Sequence, residues 1–174
     1  FEILRLNKED RIFSFKRSLS LLGTGVPMGL QYSITAIGSV ILQAAVNVLG
    51  PVYVASIATG AKINIFFATP FDALGTTMAT YGGQNVGAGR TERLNIGLFS
   101  ACLIGFIYSA FAFVVMFFGS EALTNLFMSK NEAPEVIALV CKNVRLFLLV
   151  NSACYVLLVL VNVVRFMIQG MGFS

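Results

Sequence analysis

Histidine and tryptophan are absent from this 174-residue chain, and only 11% of its residues are charged. Without histidine, the usual general base near neutral pH and a common zinc ligand are both missing. A soluble domain carries roughly a quarter charged residues. The deficit therefore excludes an ordinary soluble domain, a disordered tail and a nucleic-acid-binding module. Cysteine is scarce: Cys102, Cys141 and Cys154 are widely spaced and form no C-x-x-C. They lie in or beside apolar segments and read as buried thiols rather than metal ligands or disulfides. There is no G-x-S-x-G and no pair of acids at depth, so the chain is not read as an enzyme. Neither a metal site nor an organic cofactor is expected. What is present is apolar: 57% hydrophobic residues, sixteen Phe, sixteen Gly and a mean hydropathy of +0.83.

Long uncharged runs locate membrane helices. Residues 18–61 hold 44 positions without a charge, residues 94–120 hold 27, and residues 146–164 hold 19. A membrane span needs about 20 apolar residues. The first run is long enough for two passes, and Gly50-Pro51 in its middle marks the turn. The reading is an all-α, polytopic transmembrane bundle with four helices near 21–48, 53–81, 95–118 and 135–167. Kinks are expected at Pro27 and Pro70, whereas Pro134 fits the first turn of the fourth helix.

Residues 1–20 differ. They mix apolar side chains with eight charges, which suits an amphipathic segment at the membrane surface or a solvated linker. The lead is not a signal peptide, because no short apolar core follows a basic start. The chain starts at Phe1 and stops at Ser174 without a closing segment, as a piece of a longer protein would. Arg5, Lys8, Arg11, Lys16 and Arg17 in the lead, Arg90 and Arg93 in the second turn, and Arg165 all fall on one side. The opposite turns carry only Lys130, while Lys142 and Arg145 can snorkel from the fourth helix. By the positive-inside rule both ends face the cytoplasm, in a cytoplasmic (inner) membrane.

Three rows of polar residues run along the helices. The first helix carries Gln31, Thr35, Ser39, Gln43 and Asn47, each four residues after the last. The second carries Asp72, Thr76, Thr80 and Gln84. The fourth carries Asn151, Tyr155, Asn162 and Gln169. Residues four apart share a helix face, and amides facing lipid cost free energy. These faces therefore look inward, either onto each other as interhelical hydrogen bonds or onto a hydrated cavity that passes a solute. Three rows in four helices favour the cavity. The third helix contrasts: Ala101, Gly105 and Ser109 form a small-residue stripe for close packing.

Two ionisable residues lie within the second helix. Lys62 and Asp72 are about 15 Å apart along the axis and cannot pair directly. A charge at depth is a functional candidate by default. Lys62 is expected to meet a carbonyl, an acid from another helix, or the interface. Asp72 is either a solvated acid near the interface or a cation or proton ligand. The glycine run after it reads as a cytoplasmic helix terminator and hinge. Gly82-Gly83 and Gly87-x-Gly89 permit helix-ending conformations, Gln84 and Asn85 can cap freed carbonyls, and Arg90 anchors the turn. It is not a phosphate loop, since it lacks Gly-Lys-[Ser/Thr] and follows no strand.

Four stretches together resemble the second half of a multidrug and toxic compound extrusion (MATE) transporter. They are Gly25-Val-Pro-Met-Gly-Leu-Gln31; Gln43-Ala-Ala-Val-Asn47-Val-Leu-Gly50; Gly83-Gln84-Asn85-Val-Gly87-Ala-Gly89-Arg90; and Arg165 with Gln169-Gly170-Met-Gly172. The resemblance covers essentially the whole chain, and the glycine run is its most specific part. It implies twelve helices in two lobes, with this chain as helices seven to ten and the lead as the connector between lobes. The resemblance further implies export of organic cations, drugs or metabolites by sodium or proton antiport with alternating access. The first lobe would be a partner within the same protein. Some branches place an acid in the seventh or tenth helix. Here those helices offer Gln31, Gln43, Asn151 and Asn162 but no acid, so the main coupling carboxylate is expected in the first lobe, with Asp72 secondary. The alternatives are a lipid-linked saccharide flippase of the same superfamily, which needs a cationic cavity, and a non-transporting membrane scaffold.

Overall fold

The computed structural model describes residues 14–128 and 133–173. Among them are five helices: α1 (Phe15–Val48), α2 (Pro51–Gly87), α3 (Glu92–Phe127), α4 (Pro134–Ala153) and α5 (Tyr155–Gly170). The described residues contain no strand. Leu21–Val48 and the whole of α2, α3 and α4 are long and apolar enough to cross a membrane, while α5 is a shorter apolar helix that follows α4. The protein is therefore an all-α bundle with four candidate spans.

The helices overrun the expected spans. α2 continues six residues past 81, to Gly87, and α3 runs to Phe127 rather than 118. Residues beyond the hydrocarbon can stay helical because water as well as the helix satisfies them. Residues 1–13 of the amphipathic lead lie outside the described residues, and from Phe15 the lead is continuous with α1. α1 and α2 each continue through their internal prolines, Pro27 and Pro70. The fourth rod is instead interrupted at Cys154, between α4 and α5. There the Asn151 amide donates to the Phe147 carbonyl at 2.8 Å and the Ser152 hydroxyl to the Leu149 carbonyl at 3.1 Å. Such side-chain bonding competes with the backbone ladder, although α1 and α3 carry the same kind of bond at Thr35 and Ser109 without a break.

α2, α3 and the α4–α5 rod form the packed body. Each contributes a stripe at helical spacing. On α2 the stripe includes Ile63, Phe67, Phe71, Gly75 and Met78; on α3 it runs Ala101, Gly105, Ser109, Ala112 and Met116. The third passes through Val144, Leu148, Ser152, Tyr155, Val159 and Val163, unbroken across Cys154. The buried face thus continues across the interruption. Hydrophobic transfer adds little between helices in lipid, so close packing and polar contacts hold such a body. Phe71 is at its centre, edge-on to Tyr108 at 5.1 Å and to Tyr155 at 4.9 Å between ring centroids. The Tyr108 hydroxyl donates to the Phe67 carbonyl at 3.2 Å, tying α3 to α2. α1 joins only through its C-terminal end, where Val46 is its one buried side chain among those described. The turn after it passes through Gly50 at φ +99° into Pro51, the first residue of α2.

Candidate functional site

The α1 row is open along its length. Gln31, Thr35, Ser39, Gln43 and Asn47 are all exposed. Thr35 donates to the Gln31 carbonyl at 3.0 Å and Ser39 to the Thr35 carbonyl at 3.1 Å. The Gln43 amide donates to Asn47 Oδ1 at 3.0 Å. These bonds stay inside α1. Each hydroxyl still has acceptor capacity and the amides keep spare donors, so the face can exchange hydrogen bonds with water or a solute.

The other two rows meet each other. α5 runs parallel to α2, and polar side chains bridge them at two levels. Tyr155, 2% exposed, donates its hydroxyl to Asn64 Oδ1 at 2.8 Å. Asn162, 5% exposed, donates from Nδ2 to Asp72 Oδ1 at 3.1 Å. Asp72 itself is exposed. One carboxylate oxygen is held by a buried amide while the side chain still reaches open space. Thr76 and Thr80 follow on the same exposed face and bond to carbonyls of their own helix. Lys62 is exposed. Asn151 is half-buried beside a groove of about 360 Å³ between α2 and α4, also lined by Tyr53, Ser56 and Asn143. Asn143 Nδ2 approaches the Ser56 hydroxyl at 3.4 Å.

Asn64 and Asn143 were not among the residues expected at the site. Both had a signal. Asn64 lies two four-residue steps before Asp72, and Asn143 two steps before Asn151. Ala68 and Phe147 interrupt the rows at the intervening steps, which hid their continuation. Tyr155 and Asn162, expected along a cavity wall, are buried against α2 instead.

The glycine run behaves differently from expectation at one end. α2 does not stop at Gly82-Gly83. Those residues lie inside the helix, where a Cβ on Gly83 would come within 2.8 Å of the Gly170 carbonyl oxygen. The stop comes at Gly89, at φ +70°. Gly89 N–H donates to the Val86 carbonyl at 3.0 Å and Arg90 N–H to the Asn85 carbonyl at 2.8 Å, the two bonds of a Schellman cap. Gly172, at φ +94°, ends α5 by the same pattern, with Phe173 N–H donating to the Ile168 carbonyl at 3.2 Å. Of the amides, Asn85 donates back to the Tyr81 carbonyl at 2.8 Å, while Gln84 is exposed. Gly87 closes α2, and Arg90 is exposed in the turn. The Tyr81 hydroxyl donates to the Arg93 carbonyl at 2.9 Å, fixing the turn onto α3. The two motif ends, Gly83–Arg90 and Gln169–Gly172, therefore meet at one end of the bundle.

The arrangement offers hydrogen-bonding surface and, at Asp72, a carboxylate held on one oxygen. Neither a curated protein nor a solved structure matches the chain. The MatE family model matches residues 27–174, which include the motifs described above except the first two residues of the earliest, Gly25 and Val26. The chain belongs to the MatE family of multi-pass membrane transporters.

Proposed function

We propose that the chain is part of a secondary-active exporter of organic cations, drugs or metabolites, driven by sodium or proton antiport. The α1 row and the exposed α2 face around Asp72 would line one wall of a cavity. The first lobe of the same protein would supply the facing wall and the main coupling carboxylate. Rocking of the lobes would open the cavity to each side in turn, with ligands shifting the balance between states. The motif end at Gly83–Arg90 would lie in the cytoplasm, in an inner membrane. No cofactor beyond the coupling ion is required.

The support for this reading is the α1 row itself, five polar side chains at four-residue spacing whose hydrogen bonds, among the described residues, stay within α1. Facing lipid, such a row costs free energy, so it meets water and solute in an exporter or another helix in a scaffold. Gln43→Leu with Asn47→Leu in the full-length protein should lower drug efflux from cells by roughly tenfold, equivalent to about 1.4 kcal/mol of lost solute contact. Membrane abundance should stay near the wild-type level. Unchanged efflux would remove the row from the solute path and favour the scaffold.

A further inference from the structure

A second cavity opens between the C-terminal part of α3 and the first turns of α4, far in sequence from Asp72 and the α1 row. Its volume is about 800 Å³, and Phe117, Phe118, Glu121, Asn125, Lys142 and Arg145 are among its lining residues. We infer that this groove binds the headgroup of an anionic phospholipid, with the phosphate between Lys142 and Arg145 and an acyl chain along Phe117 and Phe118.

Depth is the first argument. α3 has 36 residues, about 54 Å of helix, against a hydrocarbon core of roughly 30 Å. Centred in the bilayer, it extends about 12 Å beyond the core at each end. Glu121 lies six residues before Phe127, about 9 Å from the end of α3. On α4, Cys141 Sγ lies 3.8 Å from Asn125 Oδ1, which sets Lys142 and Arg145 beside this same end of α3. Glu121, Lys142 and Arg145 thus lie together where α3 leaves the hydrocarbon core, the level of lipid phosphates.

Charge is the second argument. The groove presents two cations and one acid, and a phosphodiester of single negative charge neutralises the difference. A zwitterionic headgroup leaves it unbalanced. Shape is the third. The Arg145 guanidinium lies over the Phe117 ring, 5.7 Å from its centroid, a cation–π contact that holds it inward instead of letting it snorkel to water. A guanidinium so placed presents its remaining N–H groups to a phosphate. The neighbouring Phe118 is 80% exposed and available to an acyl chain.

The test uses the purified full-length transporter in mild detergent, with thermal unfolding as the readout. Phosphatidylglycerol should raise the wild-type Tm by about 5 °C, as a ligand well above its Kd does. Phosphatidylcholine and phosphatidylethanolamine should raise it by much less. The Lys142→Gln, Arg145→Gln double variant should lose the phosphatidylglycerol shift. Ala138→Trp, which keeps both cations but fills the groove, should lose it too, so one informative protein remains if the other does not fold. Arg93→Gln, at the opposite end of the bundle, should retain it. An equal shift in wild type and both groove variants overturns the site. An equal shift with phosphatidylethanolamine overturns the preference for an anion. An equal shift with inorganic phosphate alone overturns the lipid as its source.

Discussion

Gly170→Val should prevent the full-length transporter from accumulating as folded protein. α5 crosses α2 so closely here that a Cβ on Gly170 would fall onto the Ala79 carbonyl and within 2.6 Å of the Ala79 Cα. Across the same contact, Gly83 faces the Gly170 carbonyl oxygen. Backbone meets backbone, so no side chain can rotate away. Overpacking of this kind costs about 1–3 kcal/mol when side chains can move and more when they cannot. The cost should appear as a Tm drop of roughly 10 °C or more, or as lost membrane abundance. Gly75→Ala is the graded comparison. Its Cβ would meet the Phe166 ring at 2.6 Å, a side chain that can shift, so a smaller loss is expected. Gly119→Ala is the control, because only Leu123 Cδ1 lies within 4.0 Å of the new atom. Near-normal abundance of Gly170→Val would mean that α2 and α5 do not approach in this way.

The Asp72–Asn162 pair yields the second large effect. Asn162→Leu removes the amide that holds one carboxylate oxygen, a bond to a charged group worth about 1.5–3 kcal/mol when shielded and less on the open side of Asp72. Efflux should fall by roughly tenfold or more, and stability should fall with it. Asp72→Leu in the same protein separates the two losses. Replacing both partners by apolar groups is close to neutral for stability, so abundance and Tm should recover. Under the proposed function efflux should not recover, because the exposed carboxylate is gone. Recovery of efflux in the double variant would reduce the pair to a strut between helices.

Much of the architecture was legible because charge is so rare. The gaps between Arg17, Lys62, Arg93, Glu121, Arg145 and Arg165 bracket the apolar runs, and Gly50-Pro51 divides the longest of them. The α3 stripe of Ala101, Gly105 and Ser109 announced a buried face, and the structure buries all three. The interruption at Cys154 was not legible. No proline marks it, and the back-bonds of Asn151 and Ser152 beside it also occur in uninterrupted helix, at Thr35, Ser39 and Ser109. Gly82-Gly83 misled for a related reason. A glycine can end a helix or admit a neighbour, and only the approach of Gly170, a contact remote in sequence, decides between them. The same limit applied to the polar rows. Four-residue spacing showed which residues share a face. What each face meets depends on tertiary docking: α5 on α2 buries Tyr155 and Asn162, whereas α1 packs only near its C-terminal end and its row is exposed with the rest of that helix.

The most direct test of the account is thiol labelling along α1. In a full-length protein with every native cysteine replaced, Cys102, Cys141 and Cys154 included, Ser39→Cys and Gln43→Cys should react with a small hydrophilic maleimide, and a transported cation should slow the reaction. Reaction at neither position, or at rates that substrate leaves unchanged, would contradict the claim that water and solute reach this row.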